Sequence, residues 1–186
     1  STITNNQFIN NTATQGGAFR IDNAPNTIIN NNKFFENEAT YGGALRIDQS
    51  TNTQIENNQF NENSAIEKGG AAYITTTTTL KNNIFIKNMG KHGGALRIEL
   101  GDKTKIENNQ FKENSATNGG ASYIVSANNL IIDNSFVENT ASDVGGALRI
   151  EGNDNTFSNN VFEKNLAQSK HGGGVSVVGD NIKLIN

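Results

Sequence analysis

Two short motifs recur together seven times along this chain of 186 residues. Each copy contains a Phe-x-x-Asn segment and, a few residues later, a Gly-Gly pair followed by a small residue. Successive copies are 24 to 27 residues apart, and a fixed period of this size is typical of stacked-repeat proteins. The motif phenylalanines are Phe8, Phe34, Phe60, Phe85, Phe111, Phe136 and Phe162, and the glycine pairs begin at Gly16, Gly42, Gly69, Gly93, Gly119, Gly145 and Gly172.

One period, residues 26–48, contains three short segments of extended character separated by turns rich in Asn, Thr and Gly. The glycine pairs and Asn runs interrupt every stretch that could form an amphipathic helix. The sequence therefore predicts an all-β, right-handed parallel β-helix of about seven coils, with about 26 residues and three short strands in each coil. We expect residues 1–186 to form a single repeat array, a fragment of a longer solenoid, in which 182–186 opens an eighth coil.

Aligning the seven copies predicts which side chains fill the interior. The motif Phe is constant, and the positions five before it and five after the first Gly are apolar in every copy. Like side chains in neighbouring coils should stack at the strand spacing of ~4.8 Å. The two further apolar rows are Ile3, Ile29, Ile55, Leu80, Ile106, Ile131 and Phe157, and Ile21, Ile47, Ile74, Ile98, Ile124, Ile150 and Val177.

Asparagine occupies two unbroken rows, two residues before and three residues after the motif Phe. Stacked amides can hydrogen-bond along a column and can also bond to the backbone of turns, so we interpret both rows as structural. The glycine pairs lack phosphate-loop spacing and a following helix, which indicates tight corners rather than a nucleotide site. The Asn rows are Asn6, Asn32, Asn58, Asn83, Asn109, Asn134 and Asn160, and Asn11, Asn37, Asn63, Asn88, Asn114, Asn139 and Asn165.

One row of large polar residues lies between inward-pointing positions and is therefore predicted on the outer face. An acid follows each of its arginines by two residues. Two interpretations stay open: a self-paired ladder of Arg, Tyr and carboxylate groups, or a linear strip that binds a glycan chain or a protein. If the strip is exposed, Arg97→Ala should be nearly neutral for folding. The Arg/Tyr strip consists of Arg20, Arg46, Tyr73, Arg97, Tyr123 and Arg149.

Catalysis has little support in this pattern. Two acids in neighbouring coils would lie ~5 Å apart, near the separation in a retaining glycosidase, but any two acids in one row share that spacing. Coils of 24 to 27 residues also leave no long loops to build a cleft. We expect no enzyme, no catalytic residues, no cofactor and no metal, with a calcium site in the acidic turns 99–102 or 151–154 as an alternative.

Composition limits the partners. The chain has no Cys, which excludes disulfides and thiolate metal sites. A net charge of −3 gives no field that would favour nucleic acid as a partner. No apolar run approaches ~18 residues, so we expect no direct membrane insertion by this segment.

The paired Gly-Gly-Ala-Leu and Phe-x-x-Asn motifs resemble the polymorphic membrane protein repeats of chlamydial surface autotransporters and of adhesin-like proteins in some methanogenic archaea. The resemblance covers all seven copies, residues 8–177, although this chain lacks Cys. It implies a β-helix displayed outside the cell, with adhesion as the usual role. We therefore expect an extracellular stalk or adhesin segment at the cell surface, whose partners are a surface protein, a glycan or further copies of itself. A filament built by end-to-end stacking of coils is the alternative, and a polysaccharide-degrading enzyme is a third.

Overall fold

The computed structural model describes residues 1–169 and 171–185, and over that span the chain winds into a column of stacked coils. Within the same span, no helix is long and apolar enough to cross a membrane. The strands of coils 1 and 2 are β1 (Thr2–Thr4), β2 (Gln7–Ile9), β3 (Thr12–Gln15), β4 (Phe19–Asp22), β5 (Ile28–Asn30), β6 (Lys33–Phe35), β7 (Glu38–Tyr41) and β8 (Leu45–Asp48). Those of coils 3 and 4 are β9 (Thr53–Glu56), β10 (Gln59–Asn61), β11 (Ser64–Lys68), β12 (Ala72–Ile74), β13 (Thr78–Lys81), β14 (Ile84–Ile86) and β15 (Leu96–Glu99).

The remaining coils repeat the same winding. Coils 5 and 6 contain β16 (Lys105–Glu107), β17 (Gln110–Lys112), β18 (Ser115–Asn118), β19 (Ser122–Val125), β20 (Leu130–Ile132), β21 (Ser135–Val137), β22 (Thr140–Val144) and β23 (Leu148–Glu151). Coil 7 and the start of an eighth contain β24 (Thr156–Ser158), β25 (Val161–Glu163), β26 (Leu166–Ala167), β27 (Val175–Val178) and β28 (Lys183–Ile185). The predicted eighth-coil strand is therefore present, while Asn186 lies outside the described residues.

Three parallel sheets run along the whole column and account for the three strands predicted in each coil. Sheet A joins β1, β5, β9, β13, β16, β20, β24 and β28; sheet B joins β2, β6, β10, β14, β17, β21 and β25; and sheet D joins β4, β8, β12, β15, β19, β23 and β27. Each strand pairs with its equivalent one coil away, so Phe8 lies beside Phe34 and Phe34 beside Phe60. The predicted parallel β-helix is confirmed.

A fourth sheet, sheet C, was not predicted. It is broken into two three-stranded pieces, β3-β7-β11 and β18-β22-β26. In coil 4 the connection between the pieces consists of isolated bridges made by Met89 and His92. Coil 4 also has Gly90 where the other coils have Ala, and a Cβ added to Gly90 would lie 2.9 Å from the backbone nitrogen of Gly70. The chain therefore passes too close to its neighbour at this point for a regular strand with side chains.

The motif phenylalanines form one continuous stack on the inner face of sheet B. Neighbouring rings are nearly parallel, with centroids 4.7 to 5.0 Å apart and interplanar angles of 3 to 7°. The Ile and Leu rows of sheets A and D pack against this stack and are almost completely buried through the middle coils. Burial of each large apolar side chain contributes ~1.5 to 3 kcal/mol, so the core of this polar chain is a narrow apolar column.

Both Asn rows are buried amide ladders, as predicted. In coils 1 to 6, each side-chain Nδ2 of the two rows donates to the Oδ1 of the Asn one coil further on, at 2.9 to 3.1 Å. From coil 2 onward it also donates to a backbone oxygen in the preceding coil, as Asn88 does to Phe60 at 2.9 Å. The Oδ1 of Asn88 in turn accepts from both nitrogens of Asn63. The ladders therefore satisfy turn backbone groups that sheets cannot reach.

A third polar column lies at the corner between sheets D and A, where the sequence analysis identified no row. Its members are buried Thr and Asn side chains, and Thr104 N donates to Asn129 Oδ1 at 3.0 Å while Asn129 Nδ2 donates to Asn155 Oδ1 at 2.8 Å. The change from Thr to Asn along the column hid its periodicity in the sequence. The column comprises Thr27, Thr53, Thr78, Thr104, Asn129 and Asn155.

The glycine pairs form tight corners, as predicted, and these corners lie between sheets C and D. The first glycine of a pair has a positive φ, for example +66° at Gly42. At the second position, a Cβ on Gly43 would lie 2.0 Å from the carbonyl oxygen of Gly70 in the next coil. The corner therefore requires glycine for conformation at one residue and for space at the other.

Candidate functional site

The Arg/Tyr strip is a single row on sheet D. Backbone register places Arg20 beside Arg46, Arg46 beside Tyr73 and Tyr73 beside Arg97. Arg97 lies beside Tyr123, which lies beside Arg149. The structure thus brings together all six predicted residues, because each occupies the same position in its coil.

Within the strip, guanidinium groups lie over aromatic rings. The Cζ atom of Arg46 is 4.4 Å from the ring centroid of Tyr73, and that of Arg97 is 3.7 Å from the centroid of Tyr123. Arg149 approaches the Tyr123 ring as well, at 5.3 Å. These distances are within the range of cation–π attraction. Guanidinium groups therefore already occupy the aromatic surface that a sugar ring would use for stacking.

Acids two residues further along sheet D pair with the arginines. Arg46 donates to Asp48 through Nε at 2.7 Å and through Nη2 at 2.9 Å, a bidentate geometry. In coil 6, Arg149 Nε donates to Glu151 Oε1 at 2.8 Å. The two-residue spacing places each acid on the same outer face as its arginine, so the charges of the strip are neutralised within it.

The densest cluster surrounds Glu99. Its carboxylate accepts hydrogen bonds from Lys68 Nζ at 2.9 Å, from Arg97 Nε at 2.9 Å and from the Tyr73 hydroxyl. Burial would by itself raise the pKa of Glu99, but the hydrogen bonds from Tyr73, Lys68 and Arg97 outweigh burial and lower its pKa to about 2. Burial and the bond to Glu99 raise the pKa of Tyr73 well above its ordinary value. Neither group can exchange a proton readily near neutral pH.

Burial of the strip differs from the expectation of an exposed face. Only 6% of Tyr73 and 7% of Arg97 are exposed, and the Nη1 atom of Arg97 is shielded from solvent and has no hydrogen-bond acceptor among the described residues. Residues just before the glycine pairs cover the strip: Lys68 contacts Tyr73, and the His92 ring lies 5.8 Å from that of Tyr123. The expectation that Arg97→Ala is nearly neutral is therefore revised.

His92 is held in its neutral form at this corner. Burial lowers its pKa first, and the positive charges of Arg97 and Lys91 lower it further. Its Nδ1 lies 3.4 Å from the side-chain nitrogen of Asn118 one coil further on. Residues just before the glycine pairs, such as Lys68 and His92, lie beside the Arg/Tyr strip because the chain turns sharply at the glycines. The alternation of inward and outward side chains along one strand does not predict this contact.

The acidic turns have other partners. In the 99–102 turn, Glu99 is bound as described, and Asp102 Oδ1 accepts a hydrogen bond from the backbone nitrogen of Ala127 at 2.8 Å. In the 151–154 turn, Glu151 pairs with Arg149 and with the Tyr123 hydroxyl. Over residues 1–169 and 171–185, no three His, Asp or Glu side chains converge in a geometry that could hold a metal ion.

The fold and the strip define a class of protein, namely β-solenoids whose outer wall carries a row of Arg and Tyr side chains paired with neighbouring acids. The chain belongs to the right-handed β-helix family, because the family described as "right handed beta helix region" matches residues 1–111, more than half of the chain. Searches of curated proteins and of solved structures found no match.

Proposed function

We propose that this chain is a rigid segment of an extracellular stalk or adhesin. The proposal is carried by the stacking of equivalent strands and side chains in neighbouring coils. Three full-length sheets, the Phe stack and two amide ladders all run along the same axis. Such a column resists bending, because any bend would stretch all of these contacts at once. Seven coils at the strand spacing extend roughly 34 Å.

The sequence motifs support the surface location. The paired Gly-Gly-Ala-Leu and Phe-x-x-Asn motifs resemble the polymorphic membrane protein repeats, whose usual setting is the outer surface of a cell. On this proposal the partner is a protein or a glycan of another cell surface, and the Arg/Tyr strip stays a predicted binding face. Arg20, whose side chain is 46% exposed, is its most accessible member.

A non-catalytic role is part of the same proposal. General acid–base catalysis needs a group whose pKa lies near the working pH. The hydrogen bonds from Tyr123 and Arg149 outweigh burial and lower the pKa of Glu151, and Glu99 is lowered still further. The carboxylates of the strip therefore act best as fixed counter-ions for the arginines.

A second candidate is a filament subunit that stacks coil upon coil. Each coil presents the same parts to its neighbour, namely one ring of the Phe stack and the strands of sheets A, B and D. A coil of another copy could use the same contacts to continue the apolar stack and the sheets.

Immunogold electron microscopy of intact cells, with antibodies against the purified chain, tests the proposal. Label on discrete rods that project from the envelope supports the stalk or adhesin. Label along fibres with a regular axial repeat favours the filament. Label that appears only after the cells are opened overturns the extracellular role.

A further inference from the structure

The outer face of sheet C carries a second surface that differs in character from the Arg/Tyr strip. In coils 1 to 3, strands β3, β7 and β11 form an open groove of about 410 Å³. Register places Thr12 beside Glu38 and Glu38 beside Ser64, so a polar side chain recurs at this position once per coil along the axis. The polar lining consists of Thr12, Thr14, Glu38, Thr40 and Ser64.

The polar groups of this groove are unused. In the part of the chain that the structure describes, nothing hydrogen-bonds to the side chains of Thr12, Thr14, Thr40 or Ser64, and no cation pairs with Glu38. The Arg/Tyr strip shows the opposite, since its charged groups are engaged with one another. The groove therefore offers free hydroxyl donors and acceptors in a regular array, and the strip does not.

An exposed apolar side chain closes one end of the groove. Coil 3 has one residue more than coil 2 between the motif Phe and the glycine pair, and the register shifts between Ala65 and Lys68. Ile66 lies in this bulge and is 71% exposed. Met89, one coil further on, is 56% exposed, and its backbone forms an isolated bridge with that of Ser64. The Ile66 side chain thus leaves apolar surface in water at this end of the groove, which a ligand could cover.

A peptide strand is a poor match for this face, which limits the chemical class of the ligand. Main-chain groups of β7 and β11 are already bonded within the column: Glu38 N donates to Asn11 O and Ser64 N to Asn37 O, both at 2.9 Å. A peptide thus finds no open edge on this face to extend the sheet. The Thr and Ser hydroxyls, the Glu38 carboxylate and the Ile66 side chain instead complement a polymer that presents hydroxyl groups, N–H donors and methyl groups.

We propose that this groove binds an extended, uncharged polysaccharide that carries N-acetyl groups, with the sugar chain lying along the column axis. The inference rests on the proposed adhesin role and names its ligand class. Thr12, Thr14, Thr40 and Ser64 hydrogen-bond the sugar hydroxyls, Glu38 accepts from an acetamido N–H, and Ile66 covers an acetyl methyl group. The negative charge of Glu38 disfavours acidic polysaccharides.

Isothermal titration of the purified chain with three soluble oligosaccharides of equal length tests the ligand class. The probes are β-1,4-linked N-acetylglucosamine, β-1,4-linked glucose and galacturonic acid. We expect the N-acetylated oligomer to bind at least about tenfold more tightly than the glucose oligomer and the acidic oligomer to bind worst. Equal affinity for all three, preference for the acidic oligomer, or no binding overturns the proposal.

Variants locate the site. Glu38→Gln and Ile66→Ser should each weaken binding of the N-acetylated oligomer by about tenfold without lowering the unfolding temperature. Thr117→Val, on the second piece of sheet C, is the matched control and should bind normally. Arg20→Ala tests the Arg/Tyr strip as the alternative binding face. Binding that survives both groove variants but is lost in Arg20→Ala would assign the ligand to the strip. Titration uses purified protein, so its failure is independent of the immunogold result that tests the surface role.

Discussion

The guanidinium carbon of Arg97 lies 3.7 Å from the centroid of the Tyr123 ring, one coil further along the column. The same side chain binds Glu99 through Nε and Nη2 and is 7% exposed. An arginine on the outer wall of a solenoid is thus enclosed as fully as many core residues. Its contacts join coils 4 and 5 through side chains, in addition to the backbone ladder.

Arg97→Ala should lower the free energy of unfolding by ~2 to 4 kcal/mol, because it removes the cation–π contact and one of the partners of a partly buried carboxylate. Arg20→Ala is the matched control and should cost ~0 to 1 kcal/mol, because Arg20 is half exposed. Denaturant unfolding of both variants measures the difference. Equal, small effects would mean that the ladder does not stabilise the column.

The neighbouring residues Phe34 and Phe35 test the assignment of inner and outer faces. Phe34 is buried in the Phe stack, whereas Phe35 is partly exposed on the outer face of sheet B. We expect Phe34→Ala to cost ~3 to 5 kcal/mol and Phe35→Ala ~1 kcal/mol in thermal or denaturant unfolding. A larger loss for Phe35 would reverse the assignment.

Asn88→Ala should cost ~2 to 4 kcal/mol. It removes the Oδ1 that accepts from both nitrogens of Asn63, and it leaves buried groups without partners. Asn61→Ala provides the comparison, because the Asn61 Oδ1 has no hydrogen-bond partner within residues 1–169 and 171–185, and it should change stability by less than ~0.5 kcal/mol. Comparable losses in an unfolding titration would contradict a specific role for the ladder.

Gly43→Ala should destabilise the chain by about 3 kcal/mol or more, since the new Cβ would meet the Gly70 carbonyl oxygen at 2.0 Å. Gly174→Ala is the control, because its nearest neighbour would be Phe162 Cβ at 3.6 Å, an ordinary contact. Circular dichroism during heating compares the two variants. Unfolding temperatures that fall by the same amount would show that the corner can relax.

Acid should weaken the Glu99 cluster in a defined pH window. The folded-state pKa of Glu99 is about 2, below its ordinary value of 4.5, so its stabilisation is complete above pH 4.5 and is lost as the pH falls towards 2. Glu99→Gln should therefore cost ~2 kcal/mol at pH 7 and much less at pH 2. Glu163→Gln, at an exposed pair, should leave the pH profile unchanged. A parallel offset of the Glu99→Gln profile at all pH values would exclude this linkage.

Most of the column was predictable because one residue type holds each position. The constant Phe and Asn rows predicted the ring stack and the amide ladders, and the glycine pairs predicted tight corners. The Arg/Tyr strip was also located correctly as a row. In each case, residues that are one period apart in the sequence lie next to each other in neighbouring coils.

Other features depend on contacts that a period does not encode. Sheet C was missed because its inward-facing positions hold Ala rather than large apolar residues, as at Ala39, Ala65 and Ala141. The burial of Tyr73 and Arg97 was missed because Lys68 and His92 reach them across the glycine corner. Alternation along one strand predicts whether a side chain points inward or outward, but not which side chains of the adjoining sheet cover it.

The order of the strip also limits how such a chain can gain or lose length. From coil 2 to coil 6 arginine and tyrosine alternate, so each ring meets a guanidinium from an adjacent coil. Excision of coil 4 alone would set Tyr73 against Tyr123 and remove the cation between them. Excision of coils 4 and 5 together would leave Tyr73 facing Arg149, and the alternation would survive. Insertions and deletions of whole coil pairs are thus the changes that this wall tolerates best.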